Sequence, residues 1–264
     1  MMKNSSPGSV LITGAAQRVG RHLALGLARQ GWGVHLHYNQ SADPAHEIAA
    51  KITADGGRCW LHQADLSSPD AAAALIDGIT IEGETMALIN NASLFEYDAA
   101  ETVTADLIDR HMHVNMTAPA VMIRAFAERI KPVFPDTRGV VINITDAKLA
   151  GLNPDYFSYT LSKIALDGLT TLSAQAYAPY LRVNAIAPGI ILRSGEQTEE
   201  EYRIAHQRNP LRQGARLDDV LTAVKTILDT VSMTGHTMVI DGGLHLQPWH
   251  RDVAYLQETL PHEI

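Results

Sequence analysis

Seven short apolar runs recur along the chain, at Val10 to Thr13, Gly33 to Tyr38, Arg58 to Gln63, Met86 to Asn90, Val140 to Thr145, Arg182 to Ala187 and Thr237 to Ile240. The gaps between them are long enough for helices, and this alternation leaves few folds open. Strands separated by helix-length segments form β-α-β crossovers, which build a parallel sheet with helices on both faces. The 264 residues suffice for one such α/β domain and fall short of two of typical size. The expectation is a single-domain, doubly wound parallel sheet of about seven strands. Ligands of such sheets bind beyond the carboxyl ends of the strands.

The first run leads into a glycine turn. Thr13-Gly14-Ala15-Ala16-Gln17-Arg18-Val19-Gly20 follows Val10-Leu11-Ile12 and opens a helical pattern at Leu23, Leu25, Leu27 and Ala28. Glycines let the backbone approach a pyrophosphate, and the free amides of a helix start bind its charge. The plain alternative is a tight strand-to-helix turn. Two other strand ends carry Asn90-Asn91-Ala92-Ser93 and Pro188-Gly189, so the motifs converge on one site. Ser67-Ser68-Pro69-Asp70 reads as a helix start with a serine cap. Pro132, Pro135 and Gly139 part a long helical stretch beginning near Thr104 from the fifth strand.

Tyr159 and Lys163, at i and i+4, share one helix face. The lysine ammonium would then sit close to the phenol and favour its ionised form, which makes the tyrosine a usable acid. A lone Tyr-x-x-x-Lys is common by chance; its weight comes from its company.

Together these residues resemble the short-chain dehydrogenase/reductase family, whose pattern runs T-G-x-x-x-x-x-G, N-N-A, a helix asparagine, Ser, Tyr-x-x-x-Lys and P-G. Every part but the serine is present, over about Val10 to Leu246. In the serine's place stands Asp146. That aspartate, the N-N-A-S-x-F of Asn90 to Phe95 and the G-A-A-x-R of Gly14 to Arg18 resemble pteridine reductases and bacterial dihydromonapterin reductases.

The resemblance implies a Rossmann-type fold and a catalytic set of Asp146, Tyr159, Lys163 and Asn115. Asn115 would bend its helix and hold a water linking Lys163 to solvent. A cofactor would contact Gly14, Arg18, Val19 and Gly20 with its phosphates, Asp65 and Leu66 with its adenine, and Asn91 and Ala92 near a ribose. Pro188 and Gly189 would lie near the nicotinamide amide, and Lys163 would bridge ribose hydroxyls and Tyr159. Phe95 would stack on a flat heterocycle whose polar edge meets Ser93 and Arg18, with Asp146 and Tyr159 at the reacting bond. The family also implies a homotetramer built through the stretches near Thr104 to Ile130 and Tyr156 to Tyr177. Plainer readings make Phe95 a core residue and Asn115 a helix asparagine with a local hydrogen bond.

The end of the second strand bears on cofactor choice. His37-Tyr38-Asn39-Gln40-Ser41 holds no carboxylate that would repel a 2′-phosphate, while Arg18, Asn39 and Ser41 offer donors. NADPH is favoured over NADH. The chain has Gln17 and Gln40 where pteridine reductases tend to be basic, which weakens the phosphate site. The function expected is NADPH-dependent reduction of a dihydropterin, of dihydromonapterin or dihydrobiopterin type and extending to dihydrofolate, with a pterin-like small molecule as partner. Two rivals stay open: a carbonyl reductase of ketoacyl or sugar type that tolerates Asp146, and a protein that binds NADPH without turnover.

Composition narrows the partners. A net charge of -8 argues against nucleic-acid or anionic-membrane surfaces. Cys59 is the only cysteine, so no intrachain disulfide forms and a cytoplasmic setting is favoured. No apolar run reaches the length of a membrane span, and Met1 to Gly8 lacks a signal-peptide centre. The histidines are scattered without metal-ligand spacing, and His35-x-His37 and His111-x-His113 read as surface or strand residues. Arg193 to Arg212, with Glu199-Glu200-Glu201, reads as a helical flap by resemblance or as a solvated helix face. The resemblance implies a core over about 9–246, and the tail over 247–264, with Pro248, Trp249 and Pro261, lies beyond it and has no assigned role.

Overall fold

The computed structural model describes residues 7–133, 136, 138–193, 197–247 and 250–255. Pro135, Pro248, Trp249, Pro261 and most of Met1 to Gly8 lie outside them. Seven strands, β1 (Gly8–Ile12), β2 (Gly33–Tyr38), β3 (Arg58–Gln63), β4 (Thr85–Asn90), β5 (Gly139–Ile144), β6 (Leu181–Pro188) and β7 (Thr237–Ile240), form one sheet. Their order is β3-β2-β1-β4-β5-β6-β7 and every neighbouring pair is parallel. The connecting helices are α1 (Arg18–Ala28), α2 (Ala42–Ala54), α3 (Pro69–Asp77), α4 (Ala105–Met112), α5 (Ala118–Ile130), α6 (Phe157–Ala176), α7 (Glu199–His206) and α8 (Leu217–Asp229).

The period-2 alternation of strand side chains feeds two cores, as expected of parallel strands buried on both faces. Val10, Ile12, Ala87, Ile89, Val140 and Ile142 pack on one side with residues of α1, α2 and α8. Leu11, Met86, Leu88 and Val141 pack on the other with residues of α3 and α5. After β3 the chain crosses back to place β4 beside β1, with Ile12 aligned to both Leu36 and Ile89. The loops leaving β1 and β4 diverge at this reversal and open a crevice at their carboxyl ends.

Local signals fix several boundaries. Ser68 accepts a bond from the Ala71 amide and Pro69 opens α3; Thr104 accepts from Leu107 at the start of α4. Thr198 and Glu201 form a reciprocal capping box at α7, leaving Glu199, Glu200 and Glu201 in solvent. The acidic run is thus a solvated helix start. α4 and α5 are one helical stretch interrupted by a π turn over His113–Thr117. His35 and His37 are strand residues of β2, as expected, buried at 0% and 2% exposure, and His113 is exposed; His111, buried at 0% exposure in α4, is neither a strand nor a surface residue. Cys59 is half-buried, which pushes its thiol up to about 11. Among the described residues, no helix is long and apolar enough to cross a membrane.

Candidate active site

A cavity of about 860 Å³ opens at the strand ends, lined by the loops after β1, β2, β4, β5, β6 and β7. Its volume lies within the range of small-molecule and cofactor sites. The glycine turn forms one end. Gly14 has φ +61, and a Cβ on Gly20 would stand 2.3 Å from the Gly14 carbonyl, so helix α1 starts closer to the turn than any side chain permits. No side chain caps the first turn of α1, and Gly14, Ala16, Gln17, Arg18 and Val19 line the cavity. An uncapped helix start facing a cavity leaves free amides that can hold an anion.

Asn91 braces that turn from β4, donating from Nδ2 to the carbonyls of Thr13 and Gly14 at 2.8 and 3.2 Å. The Thr13 hydroxyl accepts from the Asn91 and Ala92 amides, both at 2.9 Å. His37, at the strand end expected to meet the cofactor, works underneath instead. Its Nδ1 accepts from the Gly14 amide at 3.1 Å and its Nε2 donates to the Ala64 carbonyl at 3.1 Å. Burial, above all, lowers its pKa to about 4 and holds it neutral, so its ring is spent on the turn. Leu66 belongs to the core, and Gly20 and Asp65 lie outside the cavity wall. Asp65 sits beside the rim, accepting from the Ser67 amide at 2.9 Å and from Asn39 at 3.5 Å. Tyr38, Asn39, Gln40 and Ser41 do line the cavity. Gln17 donates to the Ser41 hydroxyl at 3.1 Å, and Arg18, in the left-handed region at φ +51, reaches the Arg193 carbonyl at 2.9 Å.

Asn115 occupies the π turn, 1% exposed. Its Oδ1 accepts from the Leu94 amide at 2.7 Å and the Ser93 hydroxyl at 3.2 Å; its Nδ2 donates to the Leu94 carbonyl at 3.0 Å and Ser162 at 2.9 Å. The side chain thus clamps the loop after β4 to α6. Phe95, held at the end of that loop, is 44% exposed and not a core residue. Its ring stacks on Tyr156 at 4.3 Å and meets Tyr159 edge-on at 4.7 Å.

Beyond β5, the Asp146 Oδ2 accepts a hydrogen bond from the Tyr159 hydroxyl at 2.7 Å, and its Oδ1 accepts from the Lys148 amide at 2.8 Å. Lys163 Nζ donates to the Ile144 carbonyl at 2.8 Å and lies 5.6 Å from the centre of the Tyr159 ring. This revises the electrostatics expected of the tyrosine–lysine pair. Burial first, and then the Asp146 charge and hydrogen bond, push the phenol well above its usual range. Burial lowers the ammonium to about 8. The arrangement holds a protonated phenol against a carboxylate, with a cation behind the ring that is readily deprotonated.

The far end of the cavity was not legible in the sequence. Tyr156, which opens α6 at φ +52, packs against Phe95, Tyr97 and Tyr255. A bulky residue in that region is strained backbone, held here by its surroundings. Asp155 accepts two bonds from Arg251, at 2.9 and 2.7 Å, one from the Asp252 amide at 2.8 Å and one from Tyr97 at 3.2 Å. Lys148 donates to the Asp155 carbonyl and lies 3.9 Å from the Asp252 carboxylate. Asp252 and Val253 of the tail therefore line the cavity, as do Ile191, Leu192 and Gln197 before α7.

A family model described as short chain dehydrogenase matches residues 9–203. The uncharacterized oxidoreductase YgfF of Escherichia coli is 32% identical over 88% of this chain and 98% of its own. A dihydromonapterin reductase of Citrobacter koseri is 29% identical over 93% of this chain and 100% of its own. Among solved structures, FolM alternative dihydrofolate reductase 1 from Brucella suis, in complex with NADP, superposes with a TM-score of 0.85. It is 36% identical, covering 94% of this chain and 97% of that one.

Proposed function

This chain belongs to the short chain dehydrogenase family, and on that premise we propose that it reduces a dihydropterin to the tetrahydro form with NADPH. The observation that carries the reading is the 2.7 Å bond from Tyr159 to Asp146. A serine there would donate to a ketone oxygen, whereas a carboxylate accepts from ring N–H groups and relays a proton to a ring nitrogen. Phe95 and Tyr156 add aromatic surface beside that pair, fit for a flat heterocycle. The relatives named dihydromonapterin reductase and alternative dihydrofolate reductase support the same substrate class.

The glycine cradle, the uncapped start of α1 and the carboxylate-free end of β2 fit a dinucleotide carrying a 2′-phosphate. Arg18, Val19, Asn39 and Ser41 would hold its phosphates, Asp65 its adenine, and Asn91, Ala92, Lys163, Pro188 and Gly189 its nicotinamide half. When bound, the cofactor supplies a hydride to the carbon of the C=N bond. Tyr159 and Asp146 supply the matching proton to the nitrogen, and the Lys163 ammonium offsets the negative charge left on the pair. Asn115 keeps Leu94 and Phe95 in register with α6.

The assay is oxidation of NADPH by the purified chain with a dihydropterin and, separately, a small ketone. Turnover of the pterin alone is the expected result. Ketone reduction alone would make the chain a carbonyl reductase, and cofactor binding with neither activity would make it a binding protein. The reading includes a cytoplasmic homotetramer. Leu161, Ile164 and Leu172 stand exposed on α6 beside the open space at Gly168, which supports pairing of that helix across subunits. Light scattering that finds a monomer stable to dilution would reject the assembly.

A further inference from the structure

We propose that the segment Arg251–Val253 is the specificity wall of the substrate end, selecting dihydropterins with short, neutral, hydroxylated substituents and disfavouring the anionic glutamate tail of folates. The inference rests on the dihydropterin reading and deepens it. Arg251 is the positioning residue. Its guanidinium closes a two-bond clasp on Asp155, which is 4% exposed at the side chain and sits directly before the strained Tyr156. The Asp252 amide completes the clasp on the same carboxylate, which fixes the backbone and turns Asp252 and Val253 toward the cavity.

Charge then decides what this wall accepts. The cations at this end are already matched: Arg251 with Asp155, and Lys148 with the Asp155 carbonyl and the Asp252 carboxylate. A folate glutamate arriving here would set a second negative charge beside the Asp252 carboxylate, and Lys148, already shared between Asp252 and the Asp155 carbonyl, offsets only one of the two. A hydroxyl meets a better surface. It donates to Asp252 and accepts from Lys148, a pair 3.9 Å apart that leaves room for an oxygen to share both. Val253 closes the wall with an apolar side chain, 8% exposed. The pterin ring, held near Asp146 and Phe95, would project its substituent toward this pair.

Steady-state kinetics with a trihydroxypropyl-substituted dihydropterin and with dihydrofolate test the assignment in the full chain. In Asp252→Ala, KM for the hydroxylated substrate should rise about tenfold, the scale of one hydrogen bond to a charged group. KM for dihydrofolate should fall, and NADPH affinity measured by fluorescence should stay as in the unmodified chain. Arg251→Met should move the same selectivity ratio in the same direction, and Arg251→Lys, retaining one bond, should restore part of it. A ratio within twofold of the unmodified chain in both Asp252→Ala and Arg251→Met overturns the wall, as does an equal loss for both substrates. If the unmodified chain turns over neither substrate, the dihydropterin reading itself falls.

Discussion

Tyr159 and Asp146 are thirteen positions apart in sequence and share one hydrogen bond of 2.7 Å; burial first, and then this carboxylate, keep the phenol protonated. A tyrosine in this state is a proton donor and not a base. Replacing it with Phe removes the donor and leaves the helix face intact, so turnover should drop by roughly 10²-fold or more, the scale of a positioned acid. Cofactor affinity should hold. Near-normal turnover in Tyr159→Phe would take this residue out of the chemistry.

Asp146→Ser restores the usual family residue and removes the carboxylate. Dihydropterin turnover should fall and small ketones should gain activity, since a hydroxyl orients a carbonyl oxygen where the carboxylate repels it. An increase in pterin turnover would refute the role given to Asp146.

Lys163 sets the alkaline limit. Burial depresses its ammonium to about 8, so the cation behind Tyr159 is present below that pH and is lost as pH rises through it. Because kcat/KM reports groups of the free enzyme, it should decline above about pH 8. A profile flat to pH 10 would show that the ammonium plays no part.

The acid limit on stability comes from histidines. His35 and His37 are buried at 0% and 2% exposure, and burial chiefly lowers both to about 4 from the ordinary 6.5. The folded state therefore binds fewer protons than the unfolded state between those values. The stability this provides is present above 6.5 and is lost as pH falls toward 4, by about 3 kcal/mol per histidine at most. Urea midpoints at pH 7 and 4.5 measure the loss, and His37→Asn should flatten the slope. Equal midpoints at both pH values would refute the linkage.

What was legible in the sequence was local. Strand and helix alternation, the Ser68 cap, the helix start near Thr104 and the Thr13-Gly14 turn each depend on neighbours within a few residues, so spacing alone placed them. His37 misled because it follows a strand pattern whose even positions, Val34, Leu36 and Tyr38, face one core, leaving the odd histidines buried on the other side. The sign of the Tyr159 shift was missed because helix spacing brings in Lys163 but records neither the burial of the phenol, the larger cause, nor the carboxylate arriving from β5. Arg251 and Asp155 meet across 96 positions, and no periodicity records such a pairing.

Cofactor preference depends most on Arg18. The end of β2 presents Asn39, Gln40 and Ser41 to the cavity without a carboxylate, so nothing there repels a 2′-phosphate. Arg18 is exposed at the start of α1, and among the described residues its guanidinium donates to the Arg193 carbonyl, a neutral acceptor that a phosphate can replace. Gln17 and Ser41, bonded to each other at 3.1 Å, add neutral donors. A charge-assisted hydrogen bond contributes about 1.5–3 kcal/mol, so NADPH should be preferred over NADH by on the order of 10- to 100-fold in kcat/KM. Arg18→Ala should shrink that ratio by raising KM for NADPH while leaving KM for NADH nearly unchanged. Equal efficiency with both cofactors in the unmodified chain would mean that Gln17 and Gln40, neutral where related enzymes are basic, leave too little charge to hold the phosphate.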